Sequence, residues 1–240
     1  MIEIHDLTKR YGDFTAVDRL TLHAAPGEIF GFLGPNGAGK TTTIRIISGL
    51  SLPTSGTVRV NGADVAADPV RAKSVMGYVP DRPYLYEKLT GRELLHFVAD
   101  LYRKEWSVCE PRALELLRYF DLADWVDARI ENLSHGMKQK LVIVSALVHD
   151  PAVLVIDEPM VGLDALAQRQ VKRLFRRLAD EGKTIFLTTH TLSVAEAVCD
   201  RIAIINRGRI IASGTTAELK RNSALEDVFL ELTYDDAAAG

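Results

Sequence analysis

Gly34-Pro35-Asn36-Gly37-Ala38-Gly39-Lys40-Thr41 decides how the rest of this chain is read. The segment fits G-x-x-x-x-G-K-[ST] and follows the apolar run Glu28-Ile29-Phe30-Gly31-Phe32-Leu33. It precedes Thr42 to Ser48, where Ile44, Ile46 and Ile47 predict a helix closed by Gly49 as its C′ residue. Strand, glycine-rich turn and helix in that order build a concavity for polyphosphate. Gly37 and Gly39 carry no Cβ, so the backbone can turn sharply and aim successive N–H groups inward, while the helix opening near Lys40 adds its positive end. Gly34 to Gly39 are therefore expected to wrap the phosphates of a nucleoside triphosphate. Lys40 would reach the β- and γ-phosphates, the Thr41 hydroxyl would ligate the accompanying Mg²⁺, and Thr42 would serve nearby phosphate oxygens.

A second element stands far downstream. Ala152-Val153-Leu154-Val155-Ile156 is a continuous apolar run ending in Asp157-Glu158-Pro159, the pattern of a buried parallel strand with carboxylates at its C-terminal end. Open α/β sheets bind ligands outside those ends, so Asp157 and Glu158 are expected to face the same phosphates as Lys40. The two acids then divide the labour. Asp157 holds the Mg²⁺ shell, directly or through water, and Glu158 accepts the proton of a water attacking the γ-phosphate in line.

Between these elements lies Leu133-Ser134-His135-Gly136-Met137-Lys138-Gln139-Lys140, and here the chain resembles the ATP-binding cassette family, whose signature is Leu-Ser-Gly-Gly-Gln. Further family elements follow in order over nearly the whole chain. Tyr11 stands where the family stacks an aromatic on adenine, and Asp81 where it has a Gln-containing loop. Val161-Gly162-Leu163-Asp164 occupies the place of its D-loop and His190 that of its switch histidine. Taken alone, Tyr11 could simply pack on the N-terminal sheet and His190 could cap a strand; the spacing of Tyr11 to Lys40 and the strand-end position of His190 favour the family roles.

The resemblance implies an α/β fold: a P-loop NTPase core with an N-terminal antiparallel β subdomain and an inserted α-helical subdomain. It implies ATP and Mg²⁺ as cofactors, with Glu158, His190 and Asp81 as catalytic residues and Thr41, Asp157 and Asp81 at the metal. The nucleotide contacts become Tyr11, Gly34, Pro35, Asn36, Gly37, Ala38, Gly39, Lys40, Thr41, Thr42, Ser134 and Gly136. In the family the signature serine touches the γ-phosphate held by a second cassette, so two chains, identical or different, sandwich two nucleotides and part after hydrolysis. Transport cassettes pass that clamp motion to a separate multi-span membrane permease docked beside the insertion, here near Pro83-Tyr84-Leu85-Tyr86. The signature and the Tyr84 to Thr90 segment look most like cassettes of bacterial export systems. The implied location is cytoplasmic, peripheral on the inner face of the cell membrane.

Three positions depart from the family pattern. His135 and Met137 replace Gly and Gln of the signature, and Met137 cannot make the polar contacts of a Gln; Ser134 and the backbone of Gly136 are retained. Asp81 replaces a Gln that in the family helps to place Mg²⁺ and the attacking water. An acidic side chain can still ligate Mg²⁺, but it cannot donate a hydrogen bond when ionised.

Composition narrows the alternatives. With 240 residues the chain can bury a substantial core, and one cassette is expected to use nearly all of it. A net charge of −3 supplies no overall basic field for nucleic acid, and none is expected as a partner. Arg169, Lys172, Arg173, Arg176 and Arg177 alternate with Val171, Leu174, Phe175 and Leu178, which reads as the solvated face of an amphipathic helix. The two cysteines, Cys109 and Cys199, are too few for a disulfide framework and lack metal-ligand spacing. Met1 to Leu7 alternates like a strand, with no basic region and long apolar core of a signal peptide. The longest apolar stretches, such as Leu141 to Val148, fall short of the roughly 20 residues that cross a bilayer.

Along the chain, the first portion reads as short strands joined by turns, with a hairpin at Thr57-Val58-Arg59-Val60, Asn61-Gly62 and Ala63-Asp64-Val65. After Val79-Pro80 the pattern turns helical: a capping box at Thr90-Gly91-Arg92-Glu93, a second helix opening at Pro111, and a long helix after Ser134, its expected N-cap, ending before Pro151. From Ala152 onward strands and helices alternate, with Ile185 to Leu187 and Ile202 to Ile205 as strands and Ala165 to Asp180 as the major helix. The chain is expected to divide into a nucleotide-binding core (1–80 and 150–214), a helical subdomain (81–149) and a C-terminal helical tail (215–240). A soluble cassette ATPase acting on DNA or the ribosome is the rival reading, but such relatives usually carry tandem cassettes, long coiled coils or basic arms, which this sequence lacks. A small-molecule P-loop kinase would leave Ser134 and His190 without roles.

Overall fold

The structure, a computed structural model, describes residues 1–219. Its strands fall into two sheets. In the first, β1 (Ile2–Tyr11) pairs antiparallel with β2 (Phe14–Ala24) on one edge. The parallel strand β3 (Ile29–Leu33) then belongs to the second sheet, while β4 (Ser55–Val60) and β5 (Ala63–Asp64) complete the first in the order β2-β1-β4-β5. The β4–β5 hairpin turns through Asn61 (φ 48°) and Gly62 (φ 80°), the paired positive φ values of a tight primed turn.

The expectation of short strands in this region is corrected. β1 and β2 run for 10 and 11 residues, interrupted by register shifts between Ile4 and Leu7 and between Leu7 and Lys9. Asp6 (φ 47°) and Arg19 (φ 48°) take left-handed conformations at those bulges. Each bulge resets the alternation of inward and outward side chains, so one long strand reads in sequence as two short ones.

The second sheet adds β6 (Met76–Val79), β7 (Val153–Asp157), β8 (Thr184–Thr189), β9 (Arg201–Asn206) and β10 (Arg209–Thr215), in the order β10-β9-β3-β8-β7-β6. All pairs are parallel except the β9–β10 hairpin. Its central strands are apolar on both faces because both are covered. Ile29, Leu33, Leu154, Ile156, Ile185 and Leu187 pack on one side with the helices that follow β6 and β7. Phe30, Phe32, Val153, Val155 and Phe186 pack on the other with the first sheet and α1 (Lys40–Ile47). Alternate residues therefore feed two separate cores. The short helix α2 (Pro69–Ser74), capped by Asp68, also lies on that second side through Ala72.

The chain between β6 and β7 is helical: α3 (Gly91–Leu101), α4 (Trp106–Tyr119) and α5 (His135–Leu147). The capping box forms as expected, with Thr90 Oγ1 accepting from Glu93 N and Glu93 Oε2 accepting from Thr90 N. α4 corrects the expected start at Pro111, which lies inside the helix. Its ring leaves the carbonyl one turn earlier, on Ser107, without an intrahelical donor, and Ser107 is exposed, so water can serve it. α6 (Ala165–Asp180) matches its expected span, and its apolar stripe of Val171, Leu174, Phe175 and Leu178 is buried. Its basic face is not merely solvated. Arg176 bridges to Asp180 at 3.0 Å and Asp200 at 2.7 Å, and Arg177 reaches Glu115 on α4 at 2.9 Å. The described part closes with α7 (Leu192–Val198) and α8 (Thr216–Leu219); residues 220–240 of the expected tail lie outside the described residues.

Candidate active site

Parallel pairing decides where the polar residues meet. Leu33 is level with Thr189, Asp157 with Thr188, and Val79 with Ile156, so the segments leaving β3, β6, β7 and β8 emerge on one edge of the sheet. That edge receives the glycine-rich loop, Asp81, the pair Asp157 and Glu158, and His190.

The loop between β3 and α1 is held by close backbone approach. A Cβ on Gly34 would collide with Ile205 O, and one on Gly39 would lie 2.6 Å from Ala16 O. Gly39 also has φ 112°, a conformation that glycine alone adopts readily. It is the N-cap of α1 and offers no side chain to the first turn, so that turn's N–H groups remain available to an anion. Lys40 is 7% exposed, and its Nζ donates to Gly34 O at 2.6 Å and Pro35 O at 3.0 Å. Burial pulls its pKa below the usual lysine value, against the opposing fields of Glu158 and Asp157. A cavity of about 250 Å³ opens here, bounded by Asn36, Gly37, Gly39 and Lys40 to Thr42 on the loop side and by Phe14 and Ala16 on β2.

Phe14 is a residue that sequence reasoning missed. Its cross-strand partner is Tyr11, which is half exposed, lies beneath Lys9 Nζ (4.9 Å to the ring centroid) and does not line the phosphate cavity. Only the pairing of β1 with β2 carries Phe14 to the loop; a signal existed in its position three residues after Tyr11, across a Gly-Asp turn.

The acids occupy different environments. Asp157 is buried and accepts a hydrogen bond from Thr188 Oγ1. Burial raises its pKa; the Thr188 bond opposes that, while Asp81 and Glu158 raise it further. Asp81, exposed on the segment after β6, is thus close enough to act on Asp157. Glu158 has φ 51°, an uncommon backbone conformation for a residue with a Cβ, costing about 1 kcal/mol. Its Oε1 lies 2.7 Å from His190 Nδ1 and accepts from His190 N at 3.1 Å. The structure therefore joins these two residues directly, although they are far apart in sequence.

The cradle tests well for a triphosphate: Gly34 and Gly39 leave no room for a side chain, Gly37 holds a φ of 81° that suits glycine, the first turn of α1 lines the cavity and the Lys40 ammonium is buried. For a divalent cation the test is the charge balance: Glu158 and Asp157 act on the ammonium of Lys40, and Asp81 adds its charge beside Asp157. Among the described residues no group of three or more His, Cys, Asp or Glu is close enough to hold a metal alone. A cation here would draw most of its shell from phosphate oxygens and water, which is how Mg²⁺ binds beside nucleotides. Ser134 and Gly136 do not line this cavity. Ser134 caps α5, its Oγ accepting from Met137 N at 3.2 Å, and Gly136 faces the backbone of Gly162.

A phosphate loop at a parallel strand end, with carboxylates at the same end of a strand one place further along the sheet, defines a P-loop nucleoside-triphosphate hydrolase. The family model described as "ABC transporter" matches residues 17–161. The chain is 42% identical over 218 residues to the Nod factor export ATP-binding protein I of Paraburkholderia xenovorans (strain LB400), covering 91% of this chain and 72% of that protein. A solved ATP-binding subunit of an ABC transporter superposes with a TM-score of 0.92 at 35% identity, covering 97% of this chain and 99% of that one. A dimeric ATP-binding cassette in a post-hydrolysis state, bound to ADP and Pi, gives 0.80 at 28% identity, covering 90% of this chain and 98% of that one. The chain belongs to the ABC transporter family and is an ATP-binding, ATP-hydrolysing cassette.

Proposed function

We infer that this cassette closes on a second cassette around ATP and drives export through a separate multi-span membrane protein. One observation carries this reading. Lys40, Asp157, Glu158 and His190 share one edge of the sheet, whereas Ser134 and Gly136 lie outside the phosphate cavity at the head of α5. Two chains facing each other would complete two sites, each from one chain's phosphate loop and the other's signature. Among the described residues no helix is long and apolar enough to cross a membrane, so passage would fall to the partner. The export direction is supported by the named role of the Paraburkholderia relative. The cassette would then lie on the inner face of the cell membrane.

A docking place for that partner is the groove of about 670 Å³ lined by Leu85, Tyr86, Leu89 and Phe97. Tyr84 and Tyr86 beside it are 78% and 63% exposed, and Tyr86 meets Phe97 edge-on at 5.6 Å. Large exposed aromatics around an apolar groove are a common feature of protein contacts. Affinity purification of the chain from detergent-solubilised membranes is expected to recover a multi-span membrane protein; recovery of ribosomes or DNA instead would overturn the transport reading.

Within the site, Glu158 takes the proton of the attacking water, and His190 orients the Glu158 carboxylate through the 2.7 Å contact. Thr41, Asp157 and Asp81 would hold Mg²⁺, which supplies charge neutralisation at the phosphates. The loop from Gly34 to Thr42 wraps the phosphates, and Tyr11 stacks on adenine beside Phe14.

Two predictions address these roles. Lys40→Ala should weaken ATP and inorganic triphosphate alike, by about 10-fold or more, whereas Tyr11→Ala should weaken only ATP, because stacking of about 1 kcal/mol is made to the base. Calorimetric titration with both ligands separates them, and equal harm to both by Tyr11→Ala would remove Tyr11 from the adenine site. Asp81→Gln should raise the Mg²⁺ concentration for half-maximal hydrolysis several-fold, about 1 kcal/mol in apparent binding, since an anionic group near Asp157 is lost. Superimposable metal titrations would place Asp81 outside the metal shell.

A further inference from the structure

His135, the departure from glycine inside the signature, has a specific neighbour. A Cβ built on Gly162 would lie 2.5 Å from His135 Nε2 and 2.6 Å from its Cδ2, so the edge of the imidazole rests directly on the Gly162 backbone. Gly162 has φ 76°, and Gly136 faces the same peptide, its own Cβ position 3.4 Å from Gly162 O. Gly162 belongs to the segment that leaves the active site immediately after Glu158. That segment is tied back by Val161 N, which donates to Glu158 O at 3.3 Å. On its α6 side it is clamped by Gln168 Nε2, which donates to Met160 O at 3.4 Å and Leu163 O at 3.1 Å, and by Asp164, which caps α6. On its α5 side it meets the His135 ring.

Gln139 stands one helical turn beyond His135, on the same face of α5. It is fully buried, and neither amide atom has a hydrogen-bond partner among the described residues. The α5 side of the contact thus retains bonding capacity that a shifted seating of α5 could use, whereas the α6 side is bonded.

We propose that His135 is a positioning residue, a wedge through which the signature turn sets the segment carrying Glu158 in the same chain. This rests on the reading that Ser134 acts on the partner's nucleotide while Glu158 acts on the chain's own. Closure of the signature on one nucleotide then presses the His135 ring on Gly162 and fixes the base at the other nucleotide. A glycine at position 135 could not exert that pressure. The link is steric: a planar ring against a residue that has no side chain.

Backbone hydrogen exchange and steady-state hydrolysis of the full chain test it together. His135→Ala should speed exchange of the amides from Glu158 to Leu163 by about 10-fold and lower kcat by about 5-fold or more, with KM for ATP within about 2-fold of the unaltered chain. His135→Phe, which keeps a ring on Gly162, should restore both within about 2-fold. Unaltered exchange in His135→Ala overturns the proposal, as does faster exchange with unaltered kcat, which would leave a packing contact without influence on the base. A matched rise in KM also overturns it, by placing His135 in nucleotide binding. If His135→Ala does not fold, Gly162→Ala strikes the contact from the other side, and unaltered kcat there is equally fatal. Glu158→Gln run in parallel separates the two readings. If that variant hydrolyses normally, the base assignment fails; if it loses turnover while His135→Ala keeps it, the coupling alone fails.

Discussion

Glu158→Gln is expected to lose at least about 100-fold in ATP turnover while binding ATP as the unaltered chain does, because removal of a general base costs about 10²- to 10⁴-fold and the amide cannot accept the proton. The substitution is nearly isosteric. The amide oxygen that replaces the Glu158 carboxylate can still accept from His190 N, so the loop should keep its place. Lys40, with its bonds to Gly34 O and Pro35 O, and the glycine cradle are untouched. Binding without hydrolysis should then populate the closed pair of cassettes: size-exclusion chromatography with Mg·ATP is expected to show a dimer for the variant and mostly monomer for the unaltered chain. Turnover within about threefold of the unaltered chain would remove Glu158 from the role of base.

The resting state of Lys40 gives this prediction physical content. Its ammonium is buried and satisfied by two backbone carbonyls of its own loop. Incoming phosphate must replace those carbonyls as its partner. The exchange is favourable because a charged acceptor holds an ammonium more strongly than a neutral one, and because the depressed pKa reflects burial that an anion would compensate. Asp157 lies in the complementary situation, with a carboxyl pushed upward by burial and by two neighbouring acids, which a cation would relieve.

The phosphate loop, the strand ending in Asp157 and the helix headed by Ser134 could be read from sequence because each is a contiguous pattern whose physics is local: glycine freedom, apolar runs and a capping hydroxyl. The parallel sheet followed from them, since apolar runs without alternation must be covered on both sides. Elements that depend on distant pairing were less legible. β1 and β2 looked short because the bulges at Asp6 and Arg19 break the alternation from which strands are recognised. Pro111 looked like a helix start because proline favours that place, and only the exposed Ser107 explains how it sits further in. Phe14 reaches the phosphate cavity through the β1–β2 hairpin, and His135 meets Gly162 through the packing of α5 against the segment after β7. For Phe14 the one signal in the chain is its place across the Gly-Asp turn from Tyr11, and no spacing rule announces the contact of His135 with Gly162.

Mixing two inactive chains is expected to restore hydrolysis if the site is shared between them. One chain carries Lys40→Ala, which removes the ammonium from its own phosphate loop; the other carries Ser134→Arg, which places bulk and charge where the signature hydroxyl stood. The second change also deletes the N-cap of α5, at about 1 kcal/mol, small against the stability of a domain this size. In a mixed pair one composite site holds both lesions, while the other combines an intact phosphate loop with an intact signature. Random pairing of equal amounts makes half the dimers mixed, and one intact site in each gives roughly a quarter of the unaltered turnover. If Ser134 and Lys40 instead served the same chain's nucleotide, every site would stay damaged and mixing would recover nothing. Strict coupling between sites could silence the intact one, so trapping of labelled nucleotide is measured beside turnover. Verified mixed dimers that neither hydrolyse nor trap would refute the shared site, and with it the placement of Ser134 opposite the partner's phosphates.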